Sequence, residues 1–293
     1  MSKVWFITGS TRGLGRSLTA AVLAGGDLVA ATARNPEQLK DLVAQYPDNI
    51  YPVKLDVADN EQIIAAVENT IKKFGRIDML VNNAGIGIIG AAEAYTEEQV
   101  RSQLETNLYA PIAITRAVIP YMRKQGSGRI LQISSVGGRV GNPGLTIYQA
   151  AKFGLGGFTE ALAKEVKPLG ILVTSVEPGG LRTDLLGEMD SAPMIDGYEK
   201  TVGIRLEMFK SGNFTPMGDP DKAAKVLIAL AGNPEPPLHL VLGSEAINMV
   251  KQANVLRDAE MEKWLPVTIS TDADDAVDFT QSEMGRSFFG AKK

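Results

Sequence analysis

Residues Lys3 to Gly26 read K-V-W-F-I-T-G-S-T-R-G-L-G-R-S-L-T-A-A-V-L-A-G-G. Lys3 to Thr8 is a short apolar run, β-branched and aromatic, stopped by Gly9. Such a run suits a strand buried on both faces. Gly9, Gly13 and Gly15 punctuate a turn, and the residues after it carry a helical pattern closed by Gly25 and Gly26. Strand, glycine-rich turn and helix are the context that a dinucleotide's pyrophosphate needs. Glycine lets the backbone come close to phosphate, and a helix N-terminus supplies N–H groups and partial positive charge. The spacing is G-x-x-x-G-x-G, not the common G-x-G-x-x-G. A glycine turn alone is as often only a tight turn.

The alternation continues outward. Asp27 to Ala33 reads as a second strand ending at Arg34, followed by a helix from about Pro36 to Gln45 and a strand from Tyr51 to Leu55, ending at Asp56-Val57. Asp59 caps a helix that runs through Phe74 and stops at Gly75. Ile77 to Val81 is the next strand, leading into Asn82-Asn83-Ala84-Gly85. Thr96 to Gln125 is helical in period and holds Asn107 in its apolar stretch. Arg129 to Ser134 and Ile171 to Glu177 make the fifth and sixth strands, with a helix between them ending near Val166. A helix from Asp219 to Ala231, a strand from Leu238 to Leu242 and a helix from Ser244 to Trp264 complete the order. Seven strand–helix alternations without a linker imply an α/β fold: one doubly wound domain over residues 1–265, a seven-stranded parallel sheet with helices on both faces. From 266 to 293 the chain is acidic, then flanked by Gly, Ser and Lys, and is expected to be a mobile tail.

Bulk composition narrows the function. The chain has 293 residues, 44% of them hydrophobic and 22% charged, with a net charge of −4 and no cysteine. Disulfides, thiolate metal sites and cysteine nucleophiles are excluded, and a cytoplasmic setting fits. No basic run points to nucleic acid or an anionic membrane, and no stretch of about twenty apolar residues occurs. His239 is the single histidine; on a strand it is expected to be structural.

Residues Ser134 to Lys152 carry the chemistry. Tyr148 and Lys152 stand four apart, with Ser135 and Ser134 thirteen and fourteen positions upstream. On a helix the phenol and the ammonium share one face. A phenol of pKa about 10 is a poor acid–base catalyst near neutrality. A fixed cation about 4 Å away is worth roughly 4 kcal/mol at an effective dielectric near 20, enough to lower that pKa by up to about three pH units. Alone, Y-x-x-x-K is usually an exposed helix with a solvated lysine. At the end of the second strand, where NAD-specific sites usually place a carboxylate, the chain offers Thr32, Ala33 and Arg34, with Arg12 in the glycine turn. Two guanidiniums suit a 2′-phosphate and so NADP(H) over NAD(H).

Together these motifs closely resemble the short-chain dehydrogenase/reductase family over residues 3 to about 245, in tone nearest the branch of 17β-hydroxysteroid and retinol dehydrogenases and bacterial relatives. The resemblance implies a Rossmann-type domain and a set of roles. Tyr148 would be general acid and base, Lys152 its partner and a ligand of the nicotinamide ribose, and Ser135 the donor to the substrate oxygen. Asn107 would bend its helix and hold a relay water. Gly9, Ser10, Thr11, Arg12, Gly13, Leu14 and Gly15 would cradle the pyrophosphate region and Arg34 the 2′-phosphate. Asp56 and Val57, then Asn83, Ala84 and Gly85, would flank the adenosine, and Pro178, Gly179, Leu181 and Thr183 the carboxamide. No metal is implied.

The expected activity is NADP(H)-dependent interconversion of a carbonyl compound and an alcohol, in a homodimer or homotetramer. Met189, Met194, Met208 and Met217, with Leu185, Leu186, Phe209 and Phe214, suggest a lid over residues 184–220 for a medium to large apolar substrate. The rival readings are a nucleotide-binding regulator without chemistry and a fold relative acting as an epimerase or lyase. Intact Ser135, Tyr148 and Lys152 weigh against both.

Overall fold

A computed structural model describes residues 2–183, 189–211 and 214–289. Nine strands are β1 (Val4–Thr8), β2 (Leu28–Ala33), β3 (Ile50–Lys54), β4 (Met79–Asn82), β5 (Ile88–Ile89), β6 (Gly128–Ile133), β7 (Ile171–Pro178), β8 (Asp190–Ser191) and β9 (His239–Leu242). The helices are α1 (Gly13–Ala24), α2 (Lys40–Gln45), α3 (Asn60–Phe74), α4 (Glu97–Leu104), α5 (Ala110–Gln125), α6 (Thr146–Val166), α7 (Ile204–Lys210), α8 (Pro220–Gly232), α9 (Ser244–Ile269) and α10 (Glu283–Phe289).

Seven strands form one sheet in the order β3-β2-β1-β4-β6-β7-β9, and every pairing in it is parallel. The doubly wound seven-stranded fold expected from the alternation is the fold observed. The order reverses between β1 and β4, so a crevice opens at their carboxyl ends, where ligands bind in such sheets. β1 is buried throughout, which explains its unbroken apolar run: helices cover both sheet faces. One core cluster packs Trp5, Ile7, Val29 and Val81 with Leu18 of α1 and Leu227 of α8. The other packs Phe6, Ala30, Leu80 and Ile130 with Ile63 of α3 and Ile114 of α5. Alternate β1 residues thus feed opposite layers. Each large apolar side chain buried here stabilises by about 1.5–3 kcal/mol.

Helix ends follow local rules. The Asp59 carboxylate accepts from the Glu61 and Gln62 N–H groups, and Gly75 ends α3 with φ +79°. Asp219 caps α8 in the same way. Between α4 and α5 the chain makes a π-helical turn, Glu105–Tyr109, which hydrophobic periodicity does not reveal. β5 and β8 pair by themselves, tying Asp190 and Ser191 to the segment that follows β4.

The chain divides into two compact units, one ending at Val250 and one starting at Lys251. The expected boundary was at 265. In α9 only Ala246 and Val250 are buried, so the first unit's core ends well before the helix does. In the stretch expected as a mobile tail, α9 continues to Ile269, and a 3-10 turn at Phe279–Gln281 and α10 follow.

Candidate active site

The glycine turn joins β1 to α1. Gly9 and Gly13 take φ +69° and +52°, conformations that favour glycine. A Cβ on Gly15 would lie 2.2 Å from the Gly9 carbonyl oxygen and 2.4 Å from Asn83 Nδ2. Here the helix crosses its own turn too closely for any side chain. Gly15→Ala is therefore expected to distort the turn, lowering dinucleotide affinity at least tenfold and stability by about 1–3 kcal/mol; titration and thermal unfolding check this. Arg12 sits at the N-cap and α1 has no side-chain cap, which leaves its first N–H groups facing the turn. Ser10 N–H donates to Thr32 O at 3.0 Å and Ser10 Oγ to Ile7 O at 3.0 Å, so Ser10 braces the turn. Leu14 is buried and Thr11 half-buried, while Arg12 and Arg34 are exposed beside the turn. The Thr32 hydroxyl is buried without a partner.

The Asn pair after β4 splits its work. Asn82 Nδ2 donates to Pro111 O (3.3 Å), Thr115 Oγ1 (3.0 Å) and Gln132 Oε1 (2.9 Å), tying β4 to α5 and β6. Asn83 Nδ2 donates to Thr8 O at 2.9 Å and Gly9 O at 3.2 Å. Thr8 Oγ1 in turn accepts from the Asn83 and Ala84 N–H groups. Asn83 thus shapes the turn from below, and its amide nitrogen is committed to protein carbonyls. Gly85 faces Asn107, whose Oδ1 lies 3.0 Å from the position of a Cβ there. On the β3 side Asp56 and Val57 are half-buried, and Asp56 Oδ1 accepts from Ala58 N–H at 3.0 Å.

Ser134 and Ser135 follow β6. Ser134 Oγ turns to the Lys152 carbonyl at 3.4 Å. The Ser135 hydroxyl hydrogen-bonds the Tyr148 phenol and also accepts from Gly137 N–H at 3.0 Å. Lys152 is 5% exposed; its Nζ donates to Ile133 O at 2.8 Å and lies 5.8 Å from the Tyr148 ring centre. The Tyr148 phenol departs here from the lowered pKa expected from its spacing to Lys152. Burial pushes the phenol's pKa up, outweighing the Ser135 hydrogen bond that draws it down. Burial likewise brings the Lys152 ammonium down to about 8. Spacing gives the distance between two charges, whereas desolvation, which opposes both, depends on the walls around them.

Asn107 is fully buried within the π turn. Its Nδ2 donates to Ile86 O at 2.8 Å and its Oδ1 accepts from Ile86 N–H at 3.0 Å. The side chain therefore clamps the strand-end loop.

Beyond β7, Pro178 is buried, and Gly179 N–H donates to Leu242 O at 2.8 Å. Leu181 bridges to Gly218. Thr183 stands against the glycine turn, with its Cβ 3.3 Å from where a Gly13 side chain would begin. The two ends of the crevice meet there. In the segment expected as a lid, Leu185 and Leu186 lie outside the described residues. Met189 packs on Gly87, Phe209 meets Phe214 edge to face at 5.7 Å, and Met194 and Met217 are exposed.

Glu177 was missed by the motif reading. It is 1% exposed at the end of β7 and gathers Arg139 Nη1 (3.2 Å), Ser175 Oγ (3.1 Å) and His239 Nδ1 (2.6 Å). His239 Nε2 also reaches Glu160 Oε1 at 3.1 Å. This cluster pins the Val136–Gly138 turn, just past Ser135, to the sheet. A carboxylate inside I-L-V-T-S-V-E was the available signal, because a buried charge needs partners.

The short chain dehydrogenase family model matches residues 3–193. Oxidoreductase BOA17 of Botryotinia fuckeliana is 42% identical over 273 residues, 92% of this chain and all of that protein. A short-chain dehydrogenase structure from Streptomyces avermitilis aligns with TM-score 0.87 at 38% identity, over 93% of this chain and all of that one. The structure of ElxO with NADP bound aligns with TM-score 0.71 at 27% identity, over 85% of this chain and all of that one. The chain belongs to the short-chain dehydrogenase family and is an oxidoreductase of that type.

Proposed function

We propose that the protein is an NADP(H)-dependent oxidoreductase that interconverts a ketone or aldehyde and an alcohol on a medium to large apolar substrate. The observation that carries this is the Ser135–Tyr148 hydroxyl pair, with buried Lys152 behind it, at the carboxyl end of β6. The residues around the crevice suit a dinucleotide. Gly15 stands where a Cβ would strike backbone, the α1 N-terminus carries no acidic residue in its first turn, and Arg12 and Arg34 lie exposed at its flank. The NADP held by ElxO agrees with that pair of cations. When bound, the dinucleotide supplies or accepts hydride.

The chain's own residues do the rest. Ser135 Oγ donates to the substrate oxygen and fixes its place. Tyr148 Oη gives its proton to that oxygen during reduction and takes it back during oxidation. A phenol whose pKa is raised by burial enters reduction in its acid form and gives up the proton only as alkoxide charge builds on the substrate oxygen. Lys152 supplies positive charge beside the ring and stands to replenish the proton. Asn107 holds its loop through Ile86, so its main chain rather than its side chain is the part free to hold a relay water. The apolar residues Met194, Ile204, Phe214 and Met217 line the proposed lid. Kinship to the 17β-hydroxysteroid and retinol branch, a homo-oligomeric state and a cytoplasmic setting belong to the same proposal.

A panel of apolar ketones, aldehydes and alcohols, read by absorbance of the reduced nicotinamide, tests the activity. Turnover of at least one carbonyl compound with NADPH is expected, and no turnover across the panel with either dinucleotide would contradict it. Arg34→Asp should lower the NADP/NAD ratio of kcat/KM by about tenfold or more, the worth of one charged hydrogen bond. An unchanged ratio removes Arg34 from the phosphate site.

A further inference from the structure

The wall of the crevice runs from Ser135 to Tyr148. At its start, a Cβ on Gly137 would lie 3.4 Å from Tyr148 Cε1. At its far side Gln149, next to Tyr148, accepts from Asn142 N–H at 2.8 Å and donates to Val140 O at 2.8 Å. Arg205, on α7 in the proposed lid, closes on this wall. Its Nη2 donates to Asn142 Oδ1 at 3.3 Å, and its Cδ lies 3.4 Å from where a Gly144 side chain would begin. That site is otherwise faced by Ile89 and Val202, so the stem of the Arg205 side chain lies against apolar groups.

Among the described residues Arg205 is a cation without a countercharge. No carboxylate pairs with it among the described residues, its Nε is buried without an acceptor, and no hydrogen bond engages Nη1. The guanidinium is held by the amide of Asn142 and by the Phe209 ring, 5.9 Å from Cζ. Burial pulls its pKa down, which measures the cost of placing it there. A lid helix needing only an apolar contact would be better served by leucine or methionine. An arginine fork with open donors matches a planar carboxylate, or the oxygens of a phosphate.

Resting on the oxidoreductase function proposed above, we infer that Arg205 is a specificity-determining residue that binds an anionic oxygen group on the substrate. The substrate class is thereby narrowed to amphiphilic carbonyl compounds: an apolar body, a carbonyl at Ser135 and Tyr148, and an acidic group reaching Arg205.

The test compares oxo acids of increasing chain length with their methyl esters, and with oxoalkyl phosphates of matched length, in the wild-type protein and in Arg205→Met and Arg205→Lys. The wild type should favour an anion over its ester by at least tenfold in kcat/KM, mainly through KM. Arg205→Met should erase that preference while turning over the esters normally, and Arg205→Lys should restore part of it. Which anion benefits more separates carboxylate from phosphate. Equal kcat/KM for acids and esters in the wild type overturns the inference, as does an equal fall for both in Arg205→Met, which would mark Arg205 as only a lid fastener. Should no carbonyl compound turn over, the reductase function fails instead. Arg205 is then judged by thermal shift with the saturated fatty acid of each length. Protection lost in Arg205→Met supports the anion site, and protection equal in both proteins, or absent from both, overturns it.

Discussion

Tyr148→Phe is expected to reduce turnover by about 10²–10⁴-fold, the usual worth of a positioned general acid, while dinucleotide affinity changes less than about threefold. The substitution removes one oxygen and keeps the ring against which Lys152 and Gly137 pack. It also removes the partner of the Ser135 hydroxyl, which retains its contact with Gly137 N–H. The pocket's shape should therefore survive. A Ser135→Ala variant should lose activity too, but keep more of it, with its pH profile moved upward, because it leaves the proton at Tyr148 Oη and removes the hydrogen bond that draws the phenol's pKa down. Steady-state rates with dinucleotide titration by fluorescence separate the cases. Retained turnover in Tyr148→Phe would show that the proton comes from elsewhere.

Lys152→Met should lose activity and gain stability. The ammonium's pKa falls from its ordinary 10.5 to about 8 through burial. Below pH 8 both folded and unfolded chains keep the proton, and the folded state bears the full cost of the buried charge. Between about 8 and 10.5 the unfolded chain holds a proton that the folded one has released, so stability rises with pH across that window. The cost corresponds to about 3 kcal/mol, reduced by about 1 kcal/mol for the hydrogen bond to Ile133 O that methionine lacks. The variant should thus be about 2 kcal/mol more stable than wild type at pH 7, with the gap closing towards pH 10. Urea unfolding at pH 7, 8.5 and 10 reads this directly. A variant less stable at pH 7 would show that the Lys152 site is not costly. A residue kept at such expense is one that function requires.

The sheet was legible because strands buried on both faces are written as unbroken apolar runs such as V-W-F-I-T, and because Asp59 and Gly75 mark helix ends by local chemistry. Boundaries moved by a residue or two where the ladder, rather than composition, ends a strand, as at Asn82. The π turn around Asn107 was invisible because one extra residue per turn hardly disturbs a hydrophobic stripe. Long-range bonds were equally hidden. Nothing local says that Asn83 faces Thr8 and Gly9, or that Glu177 gathers Arg139 and His239. The end of the first unit at Val250 could not be read because the helical pattern runs on past it. For the site, residue types and spacing named the groups, while the direction of the Tyr148 pKa depended on burial and came out opposite to the charge argument. Arg205 lay in a segment without periodicity, and only packing shows that it lacks a countercharge among the described residues.

The most direct measurement uses NADPH with both hydrogens at C4 of the nicotinamide replaced by deuterium, with any carbonyl compound that the panel shows to be consumed. One deuterium at the carbinol carbon of the alcohol per turnover is expected with the wild-type protein, and labelled product formed about 10²–10⁴-fold more slowly with Tyr148→Phe. Product without deuterium, or labelled product formed at the wild-type rate by Tyr148→Phe, would contradict hydride transfer assisted by Tyr148.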